Sequence, residues 1–548
     1  MKYRFLKFIA PAALAIITVI GIMTSCANDL DQSIKDPQTN TTFDSEGLLA
    51  KIYGNLHLTG TVGPSGNADM QQFDEGNSSL HRRVFEAEEL CSDECIWTWQ
   101  GDAGIPELTN ISWNSSHGYN ELTYYRIMYN ITLCNFYLDQ TEGTSDAQML
   151  QNRAEVRFIR ALHYYFFIDL YGKAPFKTHY NDELPTQISR KDCFDFVVKE
   201  LKSIIGEENV VEGEVLLENA NAPKYYGRAS IPAAQMLLAR LYLNAGVYTG
   251  TTQWQLAKEY SDAVINSAYG LCTEPLNGYT AYEQIFMGDN GENDNARQEI
   301  IFPIRCDGIS SRSYGAAMYC IASCTGDGTP TQGLASSQWT CNRARQALVL
   351  KFFSSENDIP YTNDINEVRT AAGDDRAMFF SGKDLVKDNN QRSFSTEEKT
   401  TFSAGLGILK WTNVRCDGST PSDVANPDTD VPLFRVAEAY LTRAEANYRL
   451  GNSDALNDIN TLRERANAER LTSLSEMDIL DEWAREFYFE GRRRSDLIRF
   501  GVFTSGSYVW DWKGGSYTGT GVQDFYKLYP IPANELAANA NMTQNPGY

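Results

Sequence analysis

The sequence is poor in the residues that most metal and nucleic-acid chemistry requires. It has five histidines in 548 residues, and its 48 lysines and arginines are outnumbered by 71 aspartates and glutamates, which gives a formal net charge of −23. An acidic surface of this kind repels phosphate backbones, so nucleic acid is not expected as a partner. With so few histidines beside the cysteines, zinc is not expected either.

Cysteine is present but forms no dense framework. Among eleven cysteines, Cys91 and Cys95, like Cys320 and Cys324, lie four positions apart, a spacing that suits a disulfide bridge or a metal. Neither pair has a histidine in its immediate sequence. We therefore interpret most of the cysteines as free, buried and acting as small apolar residues.

The amino-terminal residues predict an export signal. Three basic residues within the first seven precede an apolar stretch over residues 8–23, which is typical of a secretory signal peptide. A membrane-spanning helix is the alternative, but it needs about 20 apolar residues. The sequence MTSC at 23–26 predicts a lipobox, in which residues 1–25 are removed and Cys26 is acylated as a lipid anchor. Ordinary cleavage near this point would instead leave Cys26 as a free thiol.

The remaining chain is long enough for a large core. Removal of residues 1–25 discards three basic and no acidic side chains, so the net charge changes from −23 to −26. No later segment is apolar enough to span a bilayer. We expect one domain over 26–548, in which 26–228 is helical and loop-rich and 229–548 carries helix pairs, binding loops and the carboxy-terminal part.

Helical periodicity predicts two helix pairs in a mainly α protein. The first pair covers 230–246 and 254–268, and the second covers 436–467, with a turn at Gly451 and Ser453 as the expected N-cap. Small residues at the crossing and a short turn are similar to a tetratricopeptide unit. Because the pairs are far apart in sequence, we predict a dispersed scaffold rather than a tandem array. Further helices are predicted at 121–139, 145–170 and 475–492.

Long polar segments rich in glycine separate these helices. They are predicted as loops, and minor β structure accompanies them. Loops of this length in a compact protein are more often functional than idle, so we expect the binding chemistry there. The segments are 60–79, 270–295, 306–337 and 414–431.

Several motifs of the chain resemble the SusD (RagB/SusD) family. They are the lipobox, DPQTNTTFDSEG, RAEVRFIRALHYYFFIDLYGKAPF, DEWAREFYFEGRRRSDLIRFG, WDWKGG and LYPIP. The resemblance runs from the lipobox to Tyr548. Through DECIWTWQ, LYLNAGVYTG and NMTQNPGY it is greatest for the starch-binding members of the family.

This resemblance implies a function as well as a fold. Family members are lipid-anchored on the surface of the Gram-negative outer membrane, and their tetratricopeptide-like pairs support a loop-built glycan site. They cap a SusC-type TonB-dependent transporter and pass oligosaccharides to it without cleaving them. The implied ligand is an α-glucan of the starch and malto-oligosaccharide type. A different glycan on the same surface, a glycoside hydrolase and a protein–protein scaffold are the alternatives, and no hydrolase motif is visible.

Aromatic side chains in the loops are the candidate sugar platforms. The C–H face of a pyranose packs on an indole or phenol ring, while its hydroxyls seek polar partners at the rim. By resemblance, Trp99, Tyr314 and Trp339 form an arc that fits a helical α-glucan. Trp97 points the same way as Trp99 if the segment is extended, so it is either a further platform or a buried residue.

Three polar residues are carried over by resemblance as hydrogen-bonding partners. They are Asp74, Arg82 and Asp102. The starch-binding members that the chain resembles place an amide where this chain has Asp102, and an ionised aspartate only accepts hydrogen bonds, so a sugar hydroxyl would have to donate to it. Arg82, beside Arg83, could instead be a surface ion-pair residue. The loop at 320–337 diverges too, which leaves linkage preference open.

The arginine run at 492–494 does not indicate a phosphate site. It follows Glu482, Glu486 and Glu490 at helical spacing, which predicts internal charge pairing near a helix end.

Two acidic loops offer hard oxygen ligands for calcium, although they lack EF-hand spacing. A solvated acidic loop is the alternative, and no cofactor is required for the expected function. The candidate ligands are Asp289, Asn290, Glu292 and Asp294 in one loop and Asp428 and Asp430 in the other.

Overall fold

Helices dominate the structure. Within the described residues there are 19 α-helices and four two-stranded antiparallel sheets, which confirms the predicted mainly α class. The predicted signal peptide and the lipidation site at Cys26 lie outside the described residues. The computed structural model describes residues 43–548 except for 62, 65, 327 and 384–389.

The helices and strands are numbered here in chain order. The helices are α1 (Ser45–Gly54), α2 (Leu80–Glu89), α3 (Ile105–Asn110), α4 (Gly118–Gln140), α5 (Ala147–Phe166), α6 (Arg190–Ile204), α7 (Ile231–Leu243), α8 (Ala245–Thr249), α9 (Trp254–Ile265), α10 (Ala281–Gln284), α11 (Asp294–Arg297), α12 (Ala316–Ala322), α13 (Gln346–Val349), α14 (Ile365–Ala372), α15 (Val436–Leu450), α16 (Ala455–Arg465), α17 (Glu476–Phe487), α18 (Arg493–Arg499) and α19 (Ala533–Ala538). The paired strands are β1 (Cys95–Trp97) with β5 (Asn342–Ala344), β2 (Ala174–Phe176) with β3 (Thr186–Ile188), β4 (Ile300–Ile304) with β8 (Val431–Arg435), and β6 (Phe379–Phe380) with β7 (Gly407–Ile408).

The two predicted helix pairs are present, and they are adjacent in space. Helix α9 packs against α7, α16 packs against α15, and α9 also packs against α15. The pairs are thus dispersed in sequence but stacked in the fold. Two predicted boundaries are wrong: α7 ends at Leu243, with Gly246 inside α8, and the N-cap of α16 is Asp454 rather than Ser453. Gly250, with φ 78°, is the glycine that ends α8.

The helices predicted at 121–139 and 145–170 correspond to α4 and α5. Each begins at a side-chain cap, because His117 accepts from the backbone N–H of Asn120 and Asp146 accepts from that of Met149. Helix α5 continues into a π-helical turn, Phe167–Tyr171. Helices α4 and α5 pack on each other, α2 packs on α4, and α6 packs on α5.

The helix predicted at 475–492 is interrupted. Helix α17 ends at Phe487, and α18 begins at Arg493. Phe489 and Gly491 between them have φ of 59° and 76°, which no α-helix accommodates. The break allows the buried Phe489 ring to pack edge-on against Phe85 of α2, with centroids 4.8 Å apart.

Charge pairing around this break is confirmed, but most of the partners come from distant parts of the chain. Glu486 accepts from Arg435 at 2.6 Å, from Arg376 at 3.1 Å and from Arg465, and all four side chains are buried. Because these charges are removed from water, only the opposite charges of their partners offset the cost of their desolvation. The neighbouring pairs are Glu482 with Arg376, Arg463 and Arg485, Glu490 with Arg435 and Lys410, Arg492 with Glu438 and Asp496, Arg493 with Asp93, and Arg494 with Glu88.

The ten cysteines within the described residues are all buried and free, as predicted. Burial raises the pKa of their thiols, for example that of Cys91 to about 12, so they are held as neutral thiols. In the described part of the chain, no helix has the length and apolar character needed to cross a bilayer.

The acidic loops do not assemble into the calcium site that was considered. Among the described residues, no three acidic, histidine or cysteine side chains are grouped so that they could hold a metal ion. The candidate ligands instead fasten the loops: Asp289 accepts from the backbone of Cys416 and Asp417, Asn290 bonds to the backbone of Ile285 and Asp430, Asp428 accepts from the backbone of Ser422, Asp430 accepts from that of Cys306, Glu292 pairs with Arg415, and Asp294 pairs with Arg297.

A candidate aromatic binding cleft

The structure brings all seven predicted site residues to one open cleft of about 570 Å³. Five separate stretches of sequence form its lining, from the loop before α2 to the loop before β5. The predicted residues that line it are Asp74, Arg82, Trp97, Trp99, Asp102, Tyr314 and Trp339.

The β1–β5 ladder brings two of the aromatic segments together. Trp97 lies opposite Asn342, and the N–H of Thr98 donates to the carbonyl of Cys341 at 2.6 Å. Trp99 and Trp339 therefore follow and precede a short paired strand at the same end of the ladder.

Trp99, Tyr314 and Trp339 each present part of a ring to the cleft. Trp99 is 39% exposed, and the other two are half-buried. The rings of Tyr314 and Trp339 meet edge to face, with centroids 5.7 Å apart and an interplanar angle of 82°. Their planes thus differ in direction, which gives a curved rather than a flat aromatic surface.

Of the two alternatives for Trp97, a further platform or a buried residue, the structure shows the buried residue. It is 1% exposed, because its ring is stacked on Tyr319 at 5.8 Å and 8°. The ring of Trp99 stands perpendicular to that of Trp97, with centroids 6.0 Å apart. The indole Nε1 of Trp97 donates to Asp102 at 3.2 Å. Trp97 therefore positions one platform and one carboxylate without offering a ring face of its own.

Arg82 is a buried residue beneath the cleft and not a surface ion-pair residue. Its Nε donates to Glu86 at 2.8 Å and its Nη1 to the carbonyl of Gly76 at 3.1 Å. Burial lowers its pKa, but the Glu86 carboxylate more than offsets this, so the pKa of Arg82 is raised and the side chain is charged.

Asp74 and Asp102 have fixed orientations. Asp74 caps the 3₁₀ turn Glu75–Asn77 and accepts from the N–H of Gly76 at 2.9 Å and from Asn77 Nδ2 at 2.8 Å. Asp102 is fixed by Trp97, as described above. Each carboxylate has more acceptor capacity than these bonds use, so both present acceptors to the cleft.

Four lining residues were missed from the sequence: Gly76, Asn77, Ala103 and Tyr119. Tyr119 stands in the polar, glycine-containing segment SSHGYNEL, so the signal used for Tyr314 would also have found it. Gly76 lies close to the Tyr314 ring, and a Cβ there would lie 3.2 Å from it, a tight contact. Asn77 and Ala103 had no signal in the sequence.

The lining combines apolar ring faces with carboxylate acceptors. Two of the eleven described lining residues, Asp74 and Asp102, are carboxylates. The arrangement is suited to holding a ligand that has apolar faces and hydroxyl donors.

Fold and cleft together define a helical scaffold with a loop-built aromatic binding surface. The chain belongs to the SusD family. The SusD family model matches residues 298–548, and over the full length of both chains the sequence is 46% identical to the starch-binding protein SusD of Bacteroides thetaiotaomicron.

Solved structures of lower identity have the same fold. Surface glycan-binding protein A from Bacteroides fluxus aligns with a TM-score of 0.66 and 20% identity, covering 92% of this chain and 99% of that one. Surface glycan-binding protein A from Bacteroides thetaiotaomicron, in complex with laminarihexaose, aligns with a TM-score of 0.65 and 18% identity, covering 91% and 98%.

Proposed function

We propose that the chain binds starch and malto-oligosaccharide α-glucans at the cell surface, without cleaving them, and delivers them to a SusC-type TonB-dependent transporter. The observation that carries the proposal is the convergence of Trp99, Tyr314 and Trp339 around one open cleft. The 46% identity to a starch-binding protein over the whole chain supports the choice of ligand.

The geometry suits a curved glycan. Successive glucose units of an α-glucan turn in a helix, so their C–H faces change direction along the chain. The near-perpendicular rings of Tyr314 and Trp339, with the exposed ring of Trp99, offer faces of different direction. Asp74 and Asp102 at the same cleft offer carboxylate acceptors, to which hydroxyl groups of the glycan would donate.

The affinity follows from the number of contacts. Three aromatic platforms at roughly 0.5–1.5 kcal/mol each and a few hydrogen bonds of ~1 kcal/mol, less the cost of immobilising a flexible glycan, leave about −4 kcal/mol. This corresponds to a dissociation constant in the millimolar to high-micromolar range.

The proposed location is the outer membrane. A lipid on Cys26 would anchor the protein there and hold the cleft close to its transporter, which raises the effective concentration of captured glycan at the entrance. Radiolabelled palmitate incorporation in wild type and Cys26→Ala tests the anchor: wild type should be labelled and the variant should not.

Affinity electrophoresis in a panel of glycans tests the binding. Wild type should be retarded by amylopectin, and Trp99→Ala, Tyr314→Ala and Trp339→Ala should each lose retardation while their circular dichroism is unchanged. Migration unaffected by any glycan would favour a protein–protein scaffold. Release of reducing ends on prolonged incubation with starch would instead favour a hydrolase, and undiminished retardation of all three variants would remove the proposed site.

A further inference from the structure

One buried carboxylate lies beneath the cleft and contacts two consecutive arginines. Glu86 of α2 is 1% exposed. Its Oε1 accepts from Arg82 Nε at 2.8 Å, and its Oε2 accepts from Arg83 Nη2 at 2.6 Å. We call these three residues the Glu86 bracket.

The Arg82 side of the bracket supports the Trp339 wall of the cleft. The Arg82 guanidinium carbon lies 5.6 Å from the ring centroid of Trp339, 5.8 Å from that of Trp97 and 5.1 Å from that of Tyr319. A desolvated guanidinium among aromatic rings attracts each of them. The position of Arg82 therefore sets where these rings stand.

The Arg83 side supports another part of the lining, the Tyr119 wall. Its guanidinium carbon lies 3.9 Å from the ring centroid of Tyr119, which lines the cleft. Arg83 is 1% exposed, and within the described residues its Nε and Nη1 have no hydrogen-bond partner. Arg83 therefore pairs with the carboxylate of Glu86.

We infer that Glu86 is a positioning residue that sets the spacing between the Trp339 and Tyr119 walls of the cleft. It does not line the cleft. Without its charge, two buried guanidinium groups that share one partner would repel each other in a medium of low dielectric. This repulsion would move the two guanidinium groups apart, and the aromatic rings that contact them, Trp339 and Tyr119, would move with them. This inference rests on the proposed function and deepens it.

The test compares two substitutions at Glu86 with a matched one elsewhere. Glu86→Gln removes the charge, and Glu86→Asp keeps the charge but shortens the side chain by one methylene, so that it no longer reaches both guanidinium groups. Glu445→Gln is the control: Glu445 is also buried and accepts from two arginines, Arg449 at 3.0 Å and Arg499 at 2.9 Å, but it does not line or adjoin the cleft.

Isothermal titration with maltoheptaose and calorimetric Tm are measured on the full chain. Glu86→Gln should weaken binding at least about ten-fold, equivalent to about 1.4 kcal/mol. Glu86→Asp, which keeps the buried charge and should fold, should weaken it about three-fold. Glu445→Gln should lower Tm without changing the dissociation constant. This control shows that a loss of stability alone does not weaken binding.

The outcomes distinguish the inference from the proposed function. Wild-type affinity in either folded Glu86 variant, or equal weakening in Glu445→Gln, would overturn the positioning role and leave the proposed function intact. A wild-type protein that binds neither maltoheptaose nor amylopectin would overturn the proposed function itself.

Discussion

Replacing Glu486 by glutamine should lower stability by several kilocalories per mole. Its carboxylate accepts from Arg435 at 2.6 Å, from Arg376 at 3.1 Å and from Arg465, and the side chains of all four residues are at most 1% exposed. Glutamine keeps the size but removes the charge and turns an N–H₂ group toward arginine donors. Removal of one partner from a buried ion pair costs about 3–5 kcal/mol.

The expected change in Tm follows from the size of the folded unit. Unfolding entropy of about 2.1 cal/mol/K per residue over residues 48–548 amounts to about 1 kcal/mol/K, so the loss should lower Tm by about 3–5 °C. Scanning calorimetry measures it. The control is Glu208→Gln, because Glu208 is 56% exposed and its 2.7 Å pair with Lys202 should contribute about 0–1 kcal/mol.

The pH dependence gives a second readout of the same residue. Burial alone would raise the pKa of Glu486, but the guanidinium groups of Arg465, Arg435 and Arg376 hold it well below the usual value of 4.5. The stability that this carboxylate contributes is therefore present above about pH 4.5 and is lost as the pH falls toward the folded-state pKa. The urea midpoint of wild type should fall more between pH 7 and pH 3.5 than that of Glu486→Gln. A Tm for Glu486→Gln within 1 °C of wild type, together with an unchanged pH profile, would show that the Glu486 ion pairs do not stabilise the fold.

Three further predictions concern the support of the cleft, the helix break and the thiols. Trp97→Phe keeps a ring on Tyr319 but removes the bond to Asp102, so it should weaken maltoheptaose binding less than Trp97→Ala does in titration calorimetry; the reverse order would contradict a supporting role. Gly491→Ala places an alanine in the left-handed conformation 3.3 Å from Phe85, and it should lower the free energy of unfolding in urea by about 1–3 kcal/mol. Gly501 is also left-handed but has no atom within 4 Å of the added Cβ, so Gly501→Ala should cost only the backbone strain of a left-handed alanine. The buried thiols should resist alkylation by iodoacetamide in the native protein and react in urea, and rapid native labelling would contradict their burial.

Local periodicity predicted part of the scaffold. Both helix pairs follow from apolar residues spaced three and four apart, a pattern that depends only on nearby sequence. Helices such as α2 and α6 were not predicted. The break after Phe487 was not predictable in this way, because Phe489 adopts a positive φ in order to pack on Phe85 from a distant segment. Tertiary packing decided that boundary against local propensity.

Long-range partners were likewise beyond the reach of sequence periodicity. The glutamates at helical spacing indicated internal charge pairing, but the arginines that pair with Glu486 come from three other segments. Which acidic and basic residues meet depends on the assembled fold, so the pattern predicted the kind of interaction and not its members.

The candidate site was predicted from the family resemblance and from residue chemistry, and the structure shows which of its side chains are buried and which are exposed. Aromatics in polar loops pointed to Trp99, Tyr314 and Trp339, but the sequence did not distinguish the buried Trp97 from the exposed Trp99 beside it. Tyr119 carried the same signal as the predicted aromatics and was overlooked.

A crystal structure of the full chain with maltoheptaose is the most direct test of whether Trp99, Tyr314 and Trp339 form the glycan-binding surface. We expect glucose rings lying against these three side chains, with hydroxyl groups donating to Asp74 or Asp102. A maltoheptaose bound elsewhere on the protein, with these three rings free of sugar, would contradict this expectation.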